Sequence, residues 1–325
     1  MIVTQTPLRL SFFGGGTDFP DYYRLAGGAV LTTAIDKYVY VIVKERFDDD
    51  IYINYSIKEI VQSVDAIRHD LVREAMRMTG VDRGVEITTL ADVPSTGTGL
   101  GSSAAVTVGL LHALHAYRGR LVDARTLAEQ ACRIELEILD RPIGKQDQYI
   151  SAFGGLRAIN FHPHEAIDVE HVQTAPATTR RLQDRLLVFF TGRTRSAAAI
   201  LDHQQRRIAQ SRADLDRLKA CAHEARKLLI RGRLDDFGQL LDTAWRHKKA
   251  LAEGVSDSAI DELYTRARTA GALGGKIAGA GGGGFLVFYV PPSRQDDVRR
   301  ALAPLRELPV AFDPGGARVV FNIQH

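Results

Sequence analysis

The sequence has little of what marks metal-binding, secreted or membrane proteins. Its two cysteines, Cys132 and Cys221, match no metal-ligand spacing and suit a reducing compartment. No stretch approaches the roughly 18 consecutive apolar residues of a membrane-spanning helix, and residues 1–7 do not place a basic region before an apolar one. These absences argue against a cysteine metal centre and a membrane protein, and we expect a cytoplasmic location.

Blocks of like charge are absent as well. The chain carries 42 Lys and Arg residues against 39 Asp and Glu residues, a formal net charge of +3, and the basic residues are scattered. A tail that binds nucleic acid or a membrane surface would concentrate positive charge in one block. We therefore expect neither nucleic acid nor a membrane among the partners.

What is present is typical of a globular α+β protein with two layers. The chain has 325 residues, of which 45% are hydrophobic and 25% charged, and a prior of about 150 residues per domain suggests two domains. Short β-rich runs fill the first half, and long amphipathic helices fill the second half. The boundary is predicted near residue 185, which gives an N-terminal domain over 1–185 and a C-terminal domain over 186–325.

Hydrophobic periodicity predicts the individual elements. Strand-like runs occur at 2–10, 29–34, 38–44, 51–55, 85–90, 156–161, 168–172, 185–190 and 285–290. Helical spacing predicts helices over 57–79, 103–117, 196–230, 233–250 and 256–270, and a further helix that Asp123 caps and that breaks at 141–144. The helix at 103–117 is apolar almost all the way round, so we expect it to be buried.

Three glycine-rich stretches raise the question of phosphate binding: Gly14–Thr17, Gly97–Ser103 and Gly279–Gly284. The last has the spacing of a dinucleotide-binding loop, but a helix precedes it and a strand follows it, which reverses the required order. The middle stretch connects a predicted strand to the start of a buried helix. Backbone N–H groups at a helix start attract anions, and glycines let phosphate oxygens approach the backbone closely.

The alternative for the middle stretch is a glycine-rich turn with a serine helix cap. We favour anion binding, because three glycines and two serines occur within seven residues. The predicted binding residues are Gly97, Thr98, Gly99, Leu100, Gly101, Ser102 and Ser103.

Three motifs in order resemble those of the GHMP kinases, the superfamily of galactokinases and of homoserine, mevalonate and phosphomevalonate kinases. They are Pro-Leu-Arg-Leu-Ser-Phe-Phe-Gly-Gly-Gly-Thr-Asp at 7–18, Gly-Leu-Gly-Ser-Ser-Ala-Ala at 99–105 and Lys-Ile-Ala-Gly-Ala-Gly-Gly-Gly-Gly-Phe at 276–285. The resemblance spans almost the whole chain. It implies the GHMP kinase fold, with an N-terminal domain of the ribosomal-S5 second-domain type and a ferredoxin-like C-terminal domain. It also implies ATP, Mg²⁺ and substrate in the cleft between them.

Within the superfamily, the sequence is most similar to the kinases of D-glycero-D-manno-heptose 7-phosphate. The features that carry this likeness are Gly-Gly-Gly-Thr-Asp at 14–18, Thr-Gly-Arg-Thr-Arg-Ser at 191–196 and the helix with Trp245 and Lys248–Lys249. The resemblance implies transfer of the γ-phosphate of ATP to the anomeric hydroxyl, which gives the 1,7-bisphosphate. A kinase for fucose, galactose or another hexose stays open, as do a non-catalytic sensor and a homodimer.

The resemblance also implies roles for single side chains. Ser103 and Glu135 would coordinate Mg²⁺, Asp147 would be the general base, and Arg9 would stabilise that base or the transferring phosphate. The spacings of twelve residues from Glu135 to Asp147 and of nine from Arg9 to Asp18 match the sugar kinases. Taken alone, Glu135 would be interpreted as an exposed helix glutamate that pairs with an arginine, and Asp147 as a helix cap.

The acceptor site follows from the same resemblance and from charge. Asp18 would bind sugar hydroxyls beside Gly16 and Thr17, and the third motif would contribute Gly281 and Gly282. The phosphate of a phosphorylated sugar requires cations, although lysines and arginines are usually exposed. The candidates are Lys145, Arg193, Arg195 and the pair Lys248–Lys249.

Overall fold

The structure, a computed structural model, describes residues 1–94, 97–194 and 197–323. Its strands are β1 (Ile2–Phe13), β2 (Gly28–Glu45), β3 (Ile51–Asn54), β4 (Lys58–Val61), β5 (Val85–Ala91), β6 (Leu156–Phe161), β7 (Ile167–His171), β8 (Leu186–Phe190), β9 (Gly274–Ile277), β10 (Phe285–Tyr289), β11 (Arg306–Glu307) and β12 (Arg318–Asn322). Its α-helices are α1 (Pro20–Ala26), α2 (Asp70–Thr79), α3 (Ser102–Tyr117), α4 (Ala124–Cys132), α5 (Gln146–Phe153), α6 (Pro176–Gln183), α7 (Ala197–Arg206), α8 (Arg212–Ile230), α9 (Leu234–Ala250), α10 (Ser258–Thr269) and α11 (Gln295–Leu302). This content confirms the α+β class.

Eight strands form the first sheet. The strands β12, β1, β2, β5, β3 and β4 are neighbours in that order, and β6 pairs with β2 and β7. The pairing is antiparallel except between β3 and β5. The long strand β2 pairs with β6 through Gly28–Thr33 and with β5 through Val39–Glu45, so the two strands predicted at 29–34 and 38–44 are one.

The helix α3 packs on this sheet with most of its surface buried. Gly109 allows a close approach to β1, because a Cβ there would lie 2.8 Å from the hydroxyl oxygen of Thr6. Thr4 donates a hydrogen bond to the Gly109 carbonyl at 3.0 Å. The buried helix predicted at 103–117 is confirmed, and its first turn lies beside Arg9, whose N–H donates to the Leu100 carbonyl at 3.0 Å.

Four antiparallel strands form the second sheet, in the order β11, β8, β10 and β9. The strand β10 is buried along its whole length. The helix α9 lies directly on this sheet, because a Cβ on Gly274 of β9 would come within 2.0 Å of the Gly238 carbonyl oxygen. This contact positions the part of α9 that carries Trp245 and Lys248.

The helix predicted over 57–79 is wrong in its first half. Residues Lys58–Val61 form β4, which pairs with β3, and α2 begins only at Asp70. The buried carboxylate of Glu59 accepts hydrogen bonds from the N–H groups of Arg68 and His69 at 2.8 and 3.2 Å. The edge of β3 and the buried Glu59 carboxylate both provide hydrogen-bond partners for the backbone of this segment. The hydrophobic periodicity of the segment alone does not reveal these partners.

Other elements differ in extent. The predicted helix 196–230 is two helices, α7 and α8, and the short elements α1, α6 and β9 were not predicted, since so few residues carry little periodicity. No described helix is long and apolar enough to cross a bilayer. The chain leaves the first sheet after β7, and its last strand, β12, returns to pair with β1. The division into 1–185 and 186–325 stays a prediction.

Candidate active site

A cavity of about 430 Å³ lies beside the N-terminus of α3, within the range of about 300–1,000 Å³ that is usual for small-molecule sites. Its wall combines the end of β1, the glycine loop before α3, the segment from Glu135 to Gln148, and parts of α7, α9 and β9. Most predicted site residues line it: Arg9, Gly16, Asp18, Gly97, Thr98, Gly99, Gly101, Ser102, Ser103, Glu135 and Asp147.

The loop before α3 curls tightly. Gly97, Gly99 and Gly101 have positive φ angles of 68°, 76° and 81°, which residues with a Cβ rarely adopt. Gly101 occupies the cap position of α3, and no described side chain makes a capping hydrogen bond there. The first N–H groups of α3 are therefore left for an anion, and the serine-cap alternative is wrong.

The third glycine motif, at 276–285, packs directly against this loop. A Cβ on Gly99 would lie 2.3 Å from the Ala278 carbonyl oxygen, and one on Gly279 would lie 2.7 Å from the Gly99 Cα. A Cβ on Gly284 would likewise meet the Thr98 carbonyl oxygen at 2.3 Å. The two motifs thus pack backbone against backbone, and Gly279–Gly284 joins β9 to β10 rather than opening a helix.

This packing predicts a specific effect of Gly99→Ala. Gly119→Ala is the matched control, because Gly119 also has a positive φ, of 68°, but a Cβ there would meet no described atom within 4 Å. The control should lower the free energy of unfolding by about 1–2 kcal/mol, the cost of the left-handed conformation. Gly99→Ala should lower it further and raise KM for ATP about tenfold or more, since 1.4 kcal/mol of lost binding is tenfold. Equal values for the two variants in denaturant unfolding and in ATP kinetics would contradict the packing argument.

Arg9 and Asp147 form a bidentate ion pair at the cavity wall. Nε and Nη2 of Arg9 donate to the two carboxylate oxygens of Asp147 at 2.8 and 2.7 Å, and its Nη1 donates to the Gly99 carbonyl. Arg9 is buried, whereas 26% of the Asp147 side chain is exposed. A bidentate arginine fixes the plane of the carboxylate. The carboxylate is thus held in one orientation and stays reachable from the cavity.

The non-helical segment at residues 139–145, directly before α5, brings Asp147 to this position. Asp147 follows directly after the first residue of α5, and the cap position of α5 is Lys145, without a side-chain capping bond. The carboxylate of Asp147 binds Arg9 instead of the start of its own helix. The helix-cap interpretation of Asp147 is therefore wrong.

Ser103 and Glu135 form a second polar pair in the cavity. Ser103 Oγ donates to Glu135 Oε2 at 2.7 Å, and Gln148 Nε2 donates to Oε1 at 3.0 Å. Glu135 is only 1% exposed, so the interpretation as an exposed glutamate is wrong. Burial raises the pKa of the Glu135 carboxyl, while the hydrogen bonds from Ser103 and Gln148 act in the opposite direction.

The inward direction of Glu135 comes from a π-helical turn over Arg133–Ile138 that follows α4. A π turn holds an extra residue and rotates the chain relative to an α-helix, and such turns recur at functional sites. Glu135 consequently faces the cavity, whereas Glu137, two residues later, is exposed.

A positive charge lies against the Ser103–Glu135 pair. Nη1 of Arg141 donates to Ser103 Oγ at 2.7 Å and to Glu135 Oε2 at 3.2 Å. The two oxygens therefore converge on a point that suits a cation. Among the described residues, no group of three or more His, Cys, Asp or Glu side chains could hold a metal ion. The pair fits Mg²⁺, which takes one or two protein oxygens and completes its shell with water and phosphate.

Asp18 is held by the backbone on both sides. Its Oδ1 accepts from the Gly16 N–H at 2.9 Å and its Oδ2 from the Gln146 N–H at 3.2 Å. Burial raises the pKa of the Asp18 carboxyl, and the nearby charge of Asp147 raises it further. The segment at residues 139–145 packs so closely on this carboxylate that a Cβ on Gly144 would lie 2.0 Å from Asp18 Oδ2.

Two lysines that line the cavity are nearly buried, Lys248 at 5% and Lys276 at 6% exposure. The structure separates Lys248 from Lys249, whose Nζ binds Asp261 at 3.0 Å outside the cavity wall. Sequence analysis missed Lys276 as a site residue. The available signal was a lone lysine among small and apolar residues at the start of the third motif.

Several predicted substrate residues lie off the cavity wall. The buried hydroxyl of Thr17 binds the carbonyls of Gly14 and Ala29 at 2.8 and 3.0 Å, so Thr17 holds the loop. The Lys145 Nζ donates to Glu165 at 2.9 Å.

Further predicted residues are also placed elsewhere. Arg193 pairs with Asp257 at 2.9 Å, and Gly281 packs on Val255. Leu100 and Gly282 are not among the described wall residues, and Arg195 lies outside the described part of the chain. Direct roles in binding for these residues stay predictions.

Comparison with known proteins defines the class. The model of the GHMP kinases N terminal domain matches residues 60–155, and that of the GHMP kinases C terminal domain matches residues 225–305. The chain belongs to the GHMP kinases. ATP is the phosphate donor of this family.

The individual relatives are more specific. A D-glycero-alpha-D-manno-heptose 7-phosphate kinase of Campylobacter jejuni is 31% identical over 316 residues, which cover 93% of each chain. A crystal structure of a D-glycero-D-manno-heptose 1-phosphate kinase from Bacteriodes thetaiotaomicron superposes with a TM-score of 0.82 at 26% identity over 100% of both chains. A putative sugar kinase from Campylobacter jejuni gives a TM-score of 0.79 at 28% identity, over 98% of this chain and 97% of that chain. These likenesses confirm the GHMP kinase fold.

Proposed function

We propose that this protein is an ATP-dependent sugar kinase that transfers the γ-phosphate to the anomeric hydroxyl of D-glycero-D-manno-heptose 7-phosphate. The product is the 1,7-bisphosphate. The observation that carries this proposal is the meeting of three groups in one cavity: the open start of α3, the Ser103–Glu135 pair and the Arg9–Asp147 pair. The similarity to the Campylobacter jejuni heptose 7-phosphate kinase supports the choice of acceptor.

The donor side requires charge neutralisation. Phosphoryl transfer depends mainly on positioning and on electrostatic stabilisation of the moving phosphate. The N–H groups at Ser102 and Ser103 would bind phosphate oxygens of ATP. Ser103 and Glu135 would hold Mg²⁺, which neutralises charge on the β- and γ-phosphates when bound.

The acceptor side requires a group that takes a proton. Each oxygen of Asp147 accepts one hydrogen bond from Arg9, and each retains a lone pair for the acceptor hydroxyl. Asp147 would accept the hydroxyl proton as general base, while Arg9 holds the carboxylate plane. Asp18 would bind other sugar hydroxyls beside it.

The test is a panel of acceptors in an assay coupled to ADP release. Heptose 7-phosphate should give the highest kcat/KM, above heptose 1-phosphate, free heptose, fucose, galactose and mevalonate. Phosphorus NMR of the product should place the new phosphate on the anomeric oxygen. Preference for a free hexose would replace the heptose assignment by the rival sugar kinase, and a lack of turnover with every acceptor would favour the non-catalytic sensor.

A further inference from the structure

Two ammonium groups at the cavity wall are buried without a bound carboxylate. The Lys248 Nζ has neutral acceptors, the Gly15 carbonyl and Gln204 Oε1, each at 3.3 Å. The Lys276 Nζ has the Phe12 carbonyl at 3.4 Å. Neither nitrogen forms an ion pair with a carboxylate of the described residues. Buried charges are normally paired, because an isolated ammonium in a protein interior is unfavourable.

The charge around the two lysines is not balanced by their neighbours. The other two cationic side chains of the cavity wall are already paired with carboxylates. Asp18 is the remaining wall carboxylate, and its oxygens accept hydrogen bonds from backbone N–H groups. Among the described wall residues, Asp18 is thus the carboxylate left to balance both Lys248 and Lys276, and it forms an ion pair with neither lysine. This part of the wall is complementary to an anion.

Burial lowers the pKa of Lys248 to about 8 and that of Lys276 to about 7, and repulsion from Lys248 and Arg9 adds to the decrease at Lys276. A bound anion would oppose this decrease, because it stabilises the charged form of each amine.

A second pocket, beside Gly14 and Gly15 and lined by both lysines and by Trp245, holds only about 10 Å³, room for about one water molecule. A phosphate would therefore lie in the main cavity of about 430 Å³, which both lysines also line. The indole N–H of Trp245 is buried with no acceptor among the described residues, so this region has an unsatisfied hydrogen-bond donor beside the two amines.

We propose that Lys248 and Lys276 bind the phosphate group that the acceptor already carries, and that they select a phosphorylated sugar over the free sugar. The inference rests on the proposed function. The loop that supplies Asp18 for the sugar hydroxyls also supplies the Gly15 carbonyl beside Lys248. One loop and the helix α9 would therefore hold both ends of the acceptor.

Direct anion binding tests the site without turnover. Sulfate is titrated calorimetrically into the full-length protein saturated with Mg²⁺ and a non-hydrolysable ATP analogue, so that the glycine loop is filled. Lys248→Met and Lys276→Met should each weaken sulfate binding by about 10- to 100-fold, the range for a lost charge-assisted hydrogen bond. Lys249→Met, the adjacent lysine bound to Asp261, should titrate as the wild type. Equal sulfate affinity in all four proteins would overturn the proposal.

Kinetics test the selectivity. Each cavity-lysine variant should raise KM for heptose 7-phosphate by about 10- to 100-fold, with KM for ATP within about twofold. The preference of the enzyme for heptose 7-phosphate over free heptose should fall by the same factor. An equal rise in KM for heptose 7-phosphate and for free heptose would show that the lysines do not bind the phosphate. This result would overturn the proposal and leave the kinase assignment unchanged.

Failure of the proposed function is a separate outcome. If the wild type does not phosphorylate heptose 7-phosphate, the sulfate titration still decides whether the lysines form an anion site. Removal of an unpaired buried charge should leave the melting temperature equal or higher. A lower melting temperature with unchanged sulfate affinity would indicate a structural role and overturn the proposal. If a methionine variant does not fold, Lys248→Gln and Lys276→Gln replace it in the same titration.

Discussion

Asp147→Asn should lower kcat by about 10²–10⁴, the usual contribution of a general base. Asparagine has nearly the same shape and still accepts a hydrogen bond from Arg9, but its amide does not take the proton of the acceptor hydroxyl. Equilibrium titration with ATP should give an affinity close to that of the wild type, because Asp147 is not among the groups proposed for the donor phosphates. The measurement is steady-state kinetics together with this titration.

The control for this variant is Asp82→Asn, the same change at an exposed aspartate after α2. It should leave kcat and the ATP affinity unchanged. Near-normal turnover of Asp147→Asn would reject the base assignment and favour attack by the hydroxyl assisted by charge alone. A parallel loss of ATP affinity would instead indicate that the Arg9–Asp147 pair holds the glycine loop through the contact of Arg9 with the Gly99 carbonyl.

Glu135→Gln should lower kcat by about 10²–10³ at a fixed low Mg²⁺ concentration, since metal stabilisation of the transferring group contributes several kcal/mol. Glutamine keeps the size and an acceptor for Ser103 but removes the negative charge that a cation requires. The Mg²⁺ concentration for half-maximal activity should rise, and high Mg²⁺ should restore part of the rate. The measurement is activity over a Mg²⁺ titration.

Glu137→Gln is the matched control, because it makes the same change on the exposed face of the same π-helical turn. Its Mg²⁺ dependence should equal that of the wild type. A Glu135→Gln enzyme with slow turnover but an unchanged Mg²⁺ requirement would contradict the metal role. Glu135 would then act by holding Arg141 and Gln148 in place.

The glycine loop shows what local sequence can predict. Glycines and serines between a strand and a buried helix predict a tight loop at the start of α3 from that segment alone. The structure shows this loop, with positive φ angles at Gly97, Gly99 and Gly101, on the cavity wall, and its binding of an anion stays a prediction. The resemblance to the GHMP kinases, rather than local sequence, indicated Arg9, Asp18, Glu135 and Asp147, and the structure brings these four residues to one cavity.

The third motif shows where such prediction ends. Its glycines resemble a binding loop in composition, but the structure packs Gly279 and Gly284 against the loop at 97–99. The helix prediction for residues 57–69 is wrong for a related reason. The apolar spacing of this segment suits a helix, but the edge of β3 provides a better set of backbone hydrogen-bond partners. Neither the packing of the third motif on the glycine loop nor the pairing of β4 with β3 can be predicted from composition.

Four lysines show most clearly what cannot be predicted from the sequence alone. Lys145, Lys248, Lys249 and Lys276 are alike in sequence, yet two bind surface carboxylates and two are buried at the cavity. Burial of a long charged side chain depends on which distant segments cover it. Lys276 was missed because its neighbours in sequence are small, and the residues that enclose it come from β1 and α9.

The sequence by itself determined the α+β class and the glycine loop before α3, because these depend on local propensity and on residue types at short spacing, and its resemblance to the GHMP kinases indicated the family and the proposed catalytic residues. Only the tertiary structure decided the bidentate Arg9–Asp147 contact, the convergence of Ser103, Glu135 and Arg141, and the burial of Lys248 and Lys276. The physical reason is that ion pairing and desolvation act between side chains that meet only when separate segments fold together.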